Sequence, residues 1–191
     1  KISFFRGSLN NVLHRFFYAA LTHMPTNIVR ITGDCPLIDS KIVDKVIYNH
    51  IRFNNDYTSN TLMPTYPDGM DVEVLKFDTL KKIFLKSKKK YQLQHVTTYI
   101  HEHKNLFKVM NIKNKNDYSD YRITLDYEDD LKLIKKVIYY LENSMKTISL
   151  NNIIDAIKKL NIYNININYN RNNFFNLDKK NEKKKKNYNK S

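Results

Sequence analysis

The sequence predicts an α/β fold in which a mixed, mainly parallel sheet is sandwiched by helices. With 191 residues and 41% hydrophobic composition, the chain can form one domain with a substantial core. Over the first sixty residues, short apolar runs alternate with segments whose apolar residues recur at helical spacing. This alternation favours parallel strands, because a parallel pair needs a crossover connection that is usually a helix. In the second half the order becomes irregular, which predicts a mixed sheet.

Apolar periodicity and local stop signals define the individual elements. Residues 127–143 carry apolar side chains on one helical face and acids in the first turn, as the helix dipole prefers. Asp78 and Ser149 are predicted to cap the helices that they precede or begin. The other predicted helices are 10–24, 40–51, 78–87, 93–103 and 150–160. The predicted strands are 2–5, 27–31, 56–60, 68–77, 106–112 and 121–126.

The net charge of +14 raises the question of nucleic-acid binding. Residues 176–191 contain seven lysines against Asp178 and Glu182, so +5 of this charge lies in a polar tail. Such a tail buries too little apolar surface to offset the entropy of ordering it, and we expect it to be disordered. A basic nucleic-acid-binding module is therefore the less favoured interpretation. It predicts binding that depends on the tail and weakens steeply with salt.

Other features of the composition restrict the class of protein. No run of 18 apolar residues is present, so the sequence does not predict a membrane span. The single Cys35 cannot form an internal disulfide, which fits a reducing compartment, and we expect a cytoplasmic location. The chain has only three glycines, Gly7, Gly33 and Gly69, each beside a polar or acidic residue. We expect these positions to need a positive φ or a close backbone approach to a ligand.

Two carboxylates directly follow or end predicted strands. Asp34 lies in the loop after strand 27–31, and Asp126 closes strand 121–126 just before a helix. Because ligands of parallel α/β sheets bind at the carboxyl ends of strands, this pair would suit Mg²⁺, which prefers oxygen ligands and retains water or substrate phosphate. Spacing alone leaves an alternative open, in which Asp34 caps a turn or helix and Asp126 caps the next helix.

Five segments occur in the order and approximate spacing of a known family. They are FRGSLNNVLHRFFYAA, VRITGDCPLIDSKIVDKVI, DYTSNTLMPTYPDGMDVEV, LQHVTTYIHEH and YRITLDYEDDLKLI. Over about residues 2–175 the chain resembles the spore-coat-polysaccharide-type cytidylyltransferases, relatives of the enzymes that make CMP-activated acidic sugars. The resemblance implies the Rossmann-like nucleotide-diphospho-sugar transferase fold and Mg²⁺-dependent cytidylyl transfer from CTP to a sugar, for surface polysaccharide or glycan biosynthesis. It is compatible with a homodimer.

The resemblance also implies roles for single residues. Asp34 and Asp126 match the metal-binding aspartates of the family and would form the catalytic pair. Asp68, Asp71 and Glu73 match a polar strip on the sugar-facing side of the cleft, although alternation along a half-exposed strand is an alternative explanation for all three acids.

Four further residues have less specific roles. Arg30 is expected either to contact a phosphate or to pair with a buried carboxylate. Arg6 and Ser8 are implied to line the nucleotide pocket. His95 is expected to pack or cap rather than to take part in the chemistry.

The sequence also departs from the family pattern. Gln94 and Thr98 stand where the family prefers an acid and a proline, and Tyr127–Glu128 replace a Glu-Pro pair. Family members begin with a strand and a loop containing glycine, arginine and lysine that grips the nucleoside triphosphate, and nothing in this sequence matches that segment. We therefore expect residues 1–175 to be the carboxyl-terminal portion of a nucleotidyltransferase domain lacking its leading strands, and the chain alone to be inactive. A non-catalytic nucleotide- or sugar-binding relative is the alternative.

Overall fold

The computed structural model describes residues 3–169 and 171. In this part of the chain, seven α-helices surround a four-stranded sheet. The strands are β1 (Asn27–Arg30), β2 (Tyr57–Ser59), β3 (Glu73–Lys76) and β4 (Val109–Asn111). The helices are α1 (Val12–Leu21), α2 (Ser40–Arg52), α3 (Phe77–Lys86), α4 (Lys90–Gln94), α5 (Thr98–Glu102), α6 (Glu128–Asn143) and α7 (Leu150–Lys159), with 3₁₀ turns at Lys104–Leu106 and Tyr163–Ile165.

The sheet has the strand order β1-β3-β2-β4. β3 runs antiparallel to both of its neighbours, whereas β2 and β4 are parallel. It follows that β1, β2 and β4 run in one direction and that β3 lies between β1 and β2 in the other. The mixed sheet that the sequence predicts is confirmed, with three of the four described strands sharing a direction.

Helices cover both faces of this sheet. In β3, Val74 packs in a core with α2, α6 and α7, whereas the adjacent Leu75 packs with α1, α3 and α5. Both side chains are buried, since successive residues of a strand point to opposite faces of a sheet. The predicted sandwich of a sheet between helices is therefore confirmed.

One buried carboxylate joins the starts of α2 and α7. Asp39 precedes α2 and accepts a hydrogen bond from the backbone N–H of Lys41 at 2.9 Å. Its second oxygen accepts from the backbone N–H of Leu150, also at 2.9 Å. Ser149 Oγ accepts from the backbone N–H of Asn152, which confirms the predicted serine cap of α7. These bonds satisfy N–H groups that have no partner inside their own helices, and they anchor the loop between β1 and α2.

Two predictions for the first half of the chain are wrong, the strand over residues 2–5 and the helix cap at Asp78. Residues 3–5, the described part of predicted strand 2–5, pair with no strand among the described residues, and Phe4 and Phe5 are exposed. A short apolar run forms a strand only where a neighbouring strand completes its hydrogen bonds, and the structure gives residues 3–5 no such neighbour. The predicted Asp78 cap is also wrong, because α3 begins at Phe77 and Asp78 lies in its first turn, where the helix dipole favours an acid.

Two further predictions fail in the second half. The helix predicted over 93–103 is split into α4 and α5, because His95 adopts an extended backbone conformation with φ −109° and ψ 91°. The strand predicted over 121–126 makes only one ladder contact, between Arg122 and Asp68. Its next residues hydrogen-bond to the loop after β1 instead of to a strand, since the backbone N–H of Leu125 donates to the carbonyl oxygen of Asp34.

Some predictions concern residues outside the described part. The expected disorder of tail 176–191 falls on residues that lie outside it, so the proposed boundary at residue 175 stays a prediction. Among the residues that the structure does describe, no helix is both long and apolar enough to span a bilayer.

Candidate active site

A cavity of about 380 Å³ lies where the carboxyl end of β1 meets the start of β3. Its wall is built from four parts of the chain: the loop after β1, the segment leading into β3, the corner between α4 and α5, and the segment before α6. Acids outnumber arginines in this wall. The acids are Asp34, Asp68, Asp71, Glu73 and Asp126, the arginines are Arg30 and Arg122, and the wall also contains His95, His101 and five threonines.

Backbone hydrogen bonds bring Asp34 and Asp126 to the same edge of the cavity. The carbonyl oxygen of Asp34 accepts from the backbone N–H of Leu125 at 2.9 Å and from Thr124 Oγ1 at 3.1 Å. The residue after Leu125 is Asp126, so Asp34 and Asp126 lie on segments that are joined by a backbone hydrogen bond. This is the juxtaposition that the sequence predicts from their positions beside strand ends, and both side chains line the cavity.

The segment containing Asp68 forms backbone hydrogen bonds with residues 121–123, which lead to Asp126. The backbone N–H of Asp68 donates to the carbonyl oxygen of Tyr121 at 2.9 Å, and the backbone N–H of Ile123 donates to the carbonyl oxygen of Asp68 at 2.7 Å. Gly69 follows with φ +102°, and a Cβ there would lie 2.5 Å from the backbone nitrogen of Thr124. The predicted need for glycine is thus confirmed at Gly69. At Gly33, by contrast, a Cβ would meet no atom within 4 Å.

Arg30 pairs with Glu73 across β1 and β3, where the two residues lie opposite each other. The structure therefore selects the buried carboxylate as the partner of Arg30. Glu73 also accepts hydrogen bonds from Tyr57 and from Thr97, the latter at 2.6 Å. Burial alone would raise the pKa of Glu73, but Arg30 and the neighbouring donors hold it below its ordinary value. Glu73 is therefore an ionised, fully hydrogen-bonded group of the cavity wall.

Arg122 also lines the cavity, and the sequence reasoning did not single it out. It forms ion pairs with Asp68, Asp126 and Asp130 at 2.9, 2.8 and 2.8 Å. Asp130 is fully buried and also accepts from Asn166 at 2.7 Å. Arg122 thus holds one oxygen of Asp126 and leaves the other for a ligand.

A repeated motif in the sequence could have revealed Arg122. The pattern Arg-Ile-Thr-x-Asp occurs twice, at 30–34 and at 122–126. In both copies the arginine forms an ion pair with an acid, Glu73 of β3 for Arg30 and Asp68 of the segment before β3 for Arg122, and the aspartate lines the cavity. The two predicted metal aspartates therefore have the same local context.

Asp68 and Asp71 lie in an electrostatically crowded region. Burial raises the pKa of Asp71 to about 7, and Asp68, Glu73 and Asp34 reinforce the rise while Arg171 opposes it. The pKa of Asp68 is raised by burial as well, against the effect of Arg171. Arg171 pairs with Asp71 and reaches Asp68 at 3.8 Å. An excess of carboxylates that disfavours further negative charge is an environment that a bound cation would stabilise.

The donor set fits a magnesium ion that is completed by substrate. No group of three or more His, Cys, Asp or Glu side chains able to hold a metal occurs among the described residues. Within the same residues, no ion pair involves Asp34, and Asp126 has one oxygen outside its pair with Arg122. Mg²⁺ is commonly bound by one or two carboxylates, with water and substrate phosphate completing the shell. Asp34 and Asp126 therefore match this requirement.

The remaining predicted residues occupy different places. Arg6 and Ser8 do not line the cavity: Arg6 lies over the Phe4 ring, and Ser8 Oγ accepts from the backbone N–H of Asn11 at the start of α1. Their predicted role in a nucleotide pocket stays a prediction. His95 lines the cavity at the break between α4 and α5. Cys35 is buried, and burial raises the pKa of its thiol to about 12, so it is not an activated nucleophile.

Comparison with known proteins identifies relatives of two kinds. The chain is 36% identical over 173 residues to an uncharacterized protein of Methanocaldococcus jannaschii. The aligned region covers 87% of this chain and 68% of that protein. It is 29% identical over 158 residues to the spore coat polysaccharide biosynthesis protein SpsF of Bacillus subtilis, covering 81% of this chain and 64% of that protein. The chain therefore spans about two thirds of the length of these relatives.

A solved structure and a family model agree with these relatives. The structure of a cytidylyltransferase from Leptospira borgpetersenii matches with a TM-score of 0.76 and 32% identity, over 87% of this chain and 69% of that one. The model of the cytidylyltransferase family matches residues 1–168. With its fold, its acidic cavity and a match of this extent, the chain belongs to the cytidylyltransferase family.

Proposed function

We propose that the chain provides the metal-binding and sugar-binding side of a site for cytidylyl transfer from CTP to a sugar, in polysaccharide biosynthesis. The observation that carries this proposal is the placement of Asp34 and Asp126 on directly bonded segments at one edge of an acidic cavity. Membership in the cytidylyltransferase family supports the nucleotide, and the similarity to SpsF supports the biosynthetic context.

In this proposal, Asp34 and Asp126 would hold a Mg²⁺ ion at the edge of the cavity that they share. The bound ion would neutralise charge on the phosphate and orient the two reactants. Arg122 keeps Asp126 in place through one carboxylate oxygen, and the backbone bonds of Asp34 keep the two carboxylates together. Because positioning and charge neutralisation account for most of the catalysis of phosphoryl chemistry, no covalent nucleophile is required.

The acids near β3 have two different roles in this proposal. Asp68 and Asp71 lie at the cavity wall and would accept hydrogen bonds from sugar hydroxyl groups. Glu73 already accepts from Arg30, Tyr57 and Thr97, so we assign it the role of holding the wall rather than of binding sugar. The nucleotide would need contacts beyond those that the residues of this cavity provide.

The test is pyrophosphate release with CTP, Mg²⁺ and a panel of sugars, in this chain and in a form extended at its amino end with the matching segment of a relative. We expect turnover in the extended form and none in the 191-residue chain. Asp34→Asn and Asp126→Asn in the extended form should each abolish turnover while the circular dichroism spectrum stays unchanged.

A matched control is Asp44→Asn, since Asp44 is an exposed residue of α2 outside the cavity wall. It should leave turnover unchanged. Turnover within about threefold of the parent in either cavity variant would contradict the metal assignment. Binding of CTP without any pyrophosphate release would instead favour a non-catalytic relative that binds nucleotide.

A further inference from the structure

A chain of hydrogen bonds links the cavity wall to a buried glutamate. His101, in α5, lines the cavity, and its Nε2 lies 3.1 Å from the hydroxyl oxygen of Tyr57. Tyr57 is fully buried in β2 and donates its own hydroxyl hydrogen to Glu73. The order from the cavity inward is therefore imidazole, phenol and carboxylate.

This order determines which nitrogen of His101 carries hydrogen. Tyr57 has a single O–H group and uses it for Glu73, so its oxygen can only accept from His101. Burial and the nearby Glu73 raise the pKa of Tyr57 well above its ordinary value, so the hydroxyl stays protonated. A neutral His101 must then carry hydrogen on Nε2 and leave Nδ1 bare. No described residue hydrogen-bonds to Nδ1.

The His101 ring is neutral at physiological pH chiefly because of desolvation. Desolvation by the surrounding protein lowers its pKa below 6.5, and Lys104 and Arg30 act in the same direction. Glu73 and Glu102 oppose this change without overcoming it. His101 is thus a neutral imidazole in a set tautomer, and Nδ1 is the ring nitrogen left for a ligand.

We propose that His101 Nδ1 accepts the proton of the sugar hydroxyl that attacks CTP. This inference rests on the proposed function and adds a catalytic residue to it. The sugar oxygen forms a bond to the α-phosphorus, the bond from that phosphorus to the bridging oxygen breaks, and pyrophosphate leaves with the electron pair. The hydroxyl proton moves to Nδ1, and the resulting imidazolium is stabilised by Glu73 through Tyr57.

The carboxylates of the wall are less suited to this step. Glu73 is occupied by three donors, Asp68 is paired with Arg122 and Arg171, and Asp71 is paired with Arg171. Asp34 and Asp126 are the proposed metal ligands, whose charge is needed to hold the ion. Tyr57 and Glu73 are positioning residues in this arrangement, since they act only through His101, as the third member of a catalytic triad does.

The first test measures the tautomer in the 191-residue chain by long-range ¹H–¹⁵N correlation of the imidazoles at pH 7.5. His101 should show a protonated Nε2 and an unprotonated Nδ1, and it should titrate below pH 6.5. Tyr57→Phe should remove the tautomer preference. A protonated Nδ1 in the parent chain would overturn the proposal whether or not turnover is observed, and the predicted tautomer in a chain without turnover would support it.

The second test uses pyrophosphate release in the amino-end-extended form. His101→Asn should lower kcat about a hundredfold or more and remove the acid limb of the pH profile below pH 6.5, with KM nearly unchanged. Tyr57→Phe should lower kcat about tenfold and shift the same limb. A His101→Asn variant that keeps the parent kcat and acid limb would overturn the proposal.

His103→Asn is the matched control in both tests. His103 follows α5, its Nδ1 bonds the carbonyl oxygen of Tyr99 at 2.9 Å, and it does not line the cavity. This variant should keep the parent kcat and pH profile. If the extended form shows no pyrophosphate release, the proposed function fails, while the tautomer measurement still decides the arrangement around His101.

Discussion

Gly69→Ala should destabilise the fold at the junction that assembles the cavity. At φ +102° an L-residue is strained, and the new Cβ would lie 2.5 Å from the nitrogen of Thr124 and 2.6 Å from the carbonyl carbon of Ile123. These are backbone atoms, so no side-chain rotation can relieve the clash. The segment containing Asp68 would have to move away from Tyr121 and Ile123, with which it exchanges backbone hydrogen bonds.

The magnitude follows from two contributions. Holding an L-residue in this region of φ costs about 1–2 kcal/mol. Overpacking against a fixed backbone typically costs about 1–3 kcal/mol more. Together they amount to about 2–5 kcal/mol, and a loss of about 3 kcal/mol within this range lowers Tm by about 6–12 °C in a domain of this size, at about 2–4 °C per kcal/mol.

The assay is thermal and urea unfolding followed by circular dichroism, with Gly33→Ala as the matched control. A Cβ at Gly33 meets no atom within 4 Å, and Gly33 has no positive φ, so this variant should differ from the parent by less than about 0.5 kcal/mol. If Gly69→Ala and Gly33→Ala unfold within about 2 °C of each other, the argument that Gly69 permits the close backbone approach is refuted.

Two further predictions concern buried groups. Arg122→Met should cost about 3–5 kcal/mol at pH 7, because it leaves the buried Asp130 without its cation. The deficit in urea unfolding should shrink towards pH 4 as that carboxylate protonates, whereas Lys132→Met, which removes an exposed ion pair, should leave the free energy of unfolding nearly unchanged. An Arg122→Met deficit no larger than that of Lys132→Met would contradict the network. Cys35, with a pKa of about 12 instead of 9.0, should react with iodoacetamide at pH 8 about a thousandfold more slowly in the folded chain than in urea. Equal rates measured by mass spectrometry would contradict its burial.

Much of the fold could be predicted from local sequence pattern. The helices α2, α6 and α7 follow from apolar side chains at helical spacing, and the Ser149 cap follows from the type of residue before the last of them. The sequence analysis expected the two aspartates at one edge of the sheet, and the structure brings them together through the hydrogen bond from Leu125 to Asp34, although residues 121–126 form a single bridge and not a strand. The prediction failed at residues 3–5, whose backbone pairs with no strand among the described residues. It also failed at His95, whose extended backbone interrupts the predicted helix.

The sequence by itself determined that the chain is an α/β protein of the cytidylyltransferase type with Asp34 and Asp126 as its candidate metal ligands. Only the tertiary structure decided that Arg122 binds three acids, that Glu73 is occupied by Arg30, and that His101 is held by Tyr57. The physical reason is the distance along the sequence over which each kind of interaction acts. Periodicity and capping report interactions within a few residues, whereas these partners are separated by up to 54 positions and meet because the strand order places them together.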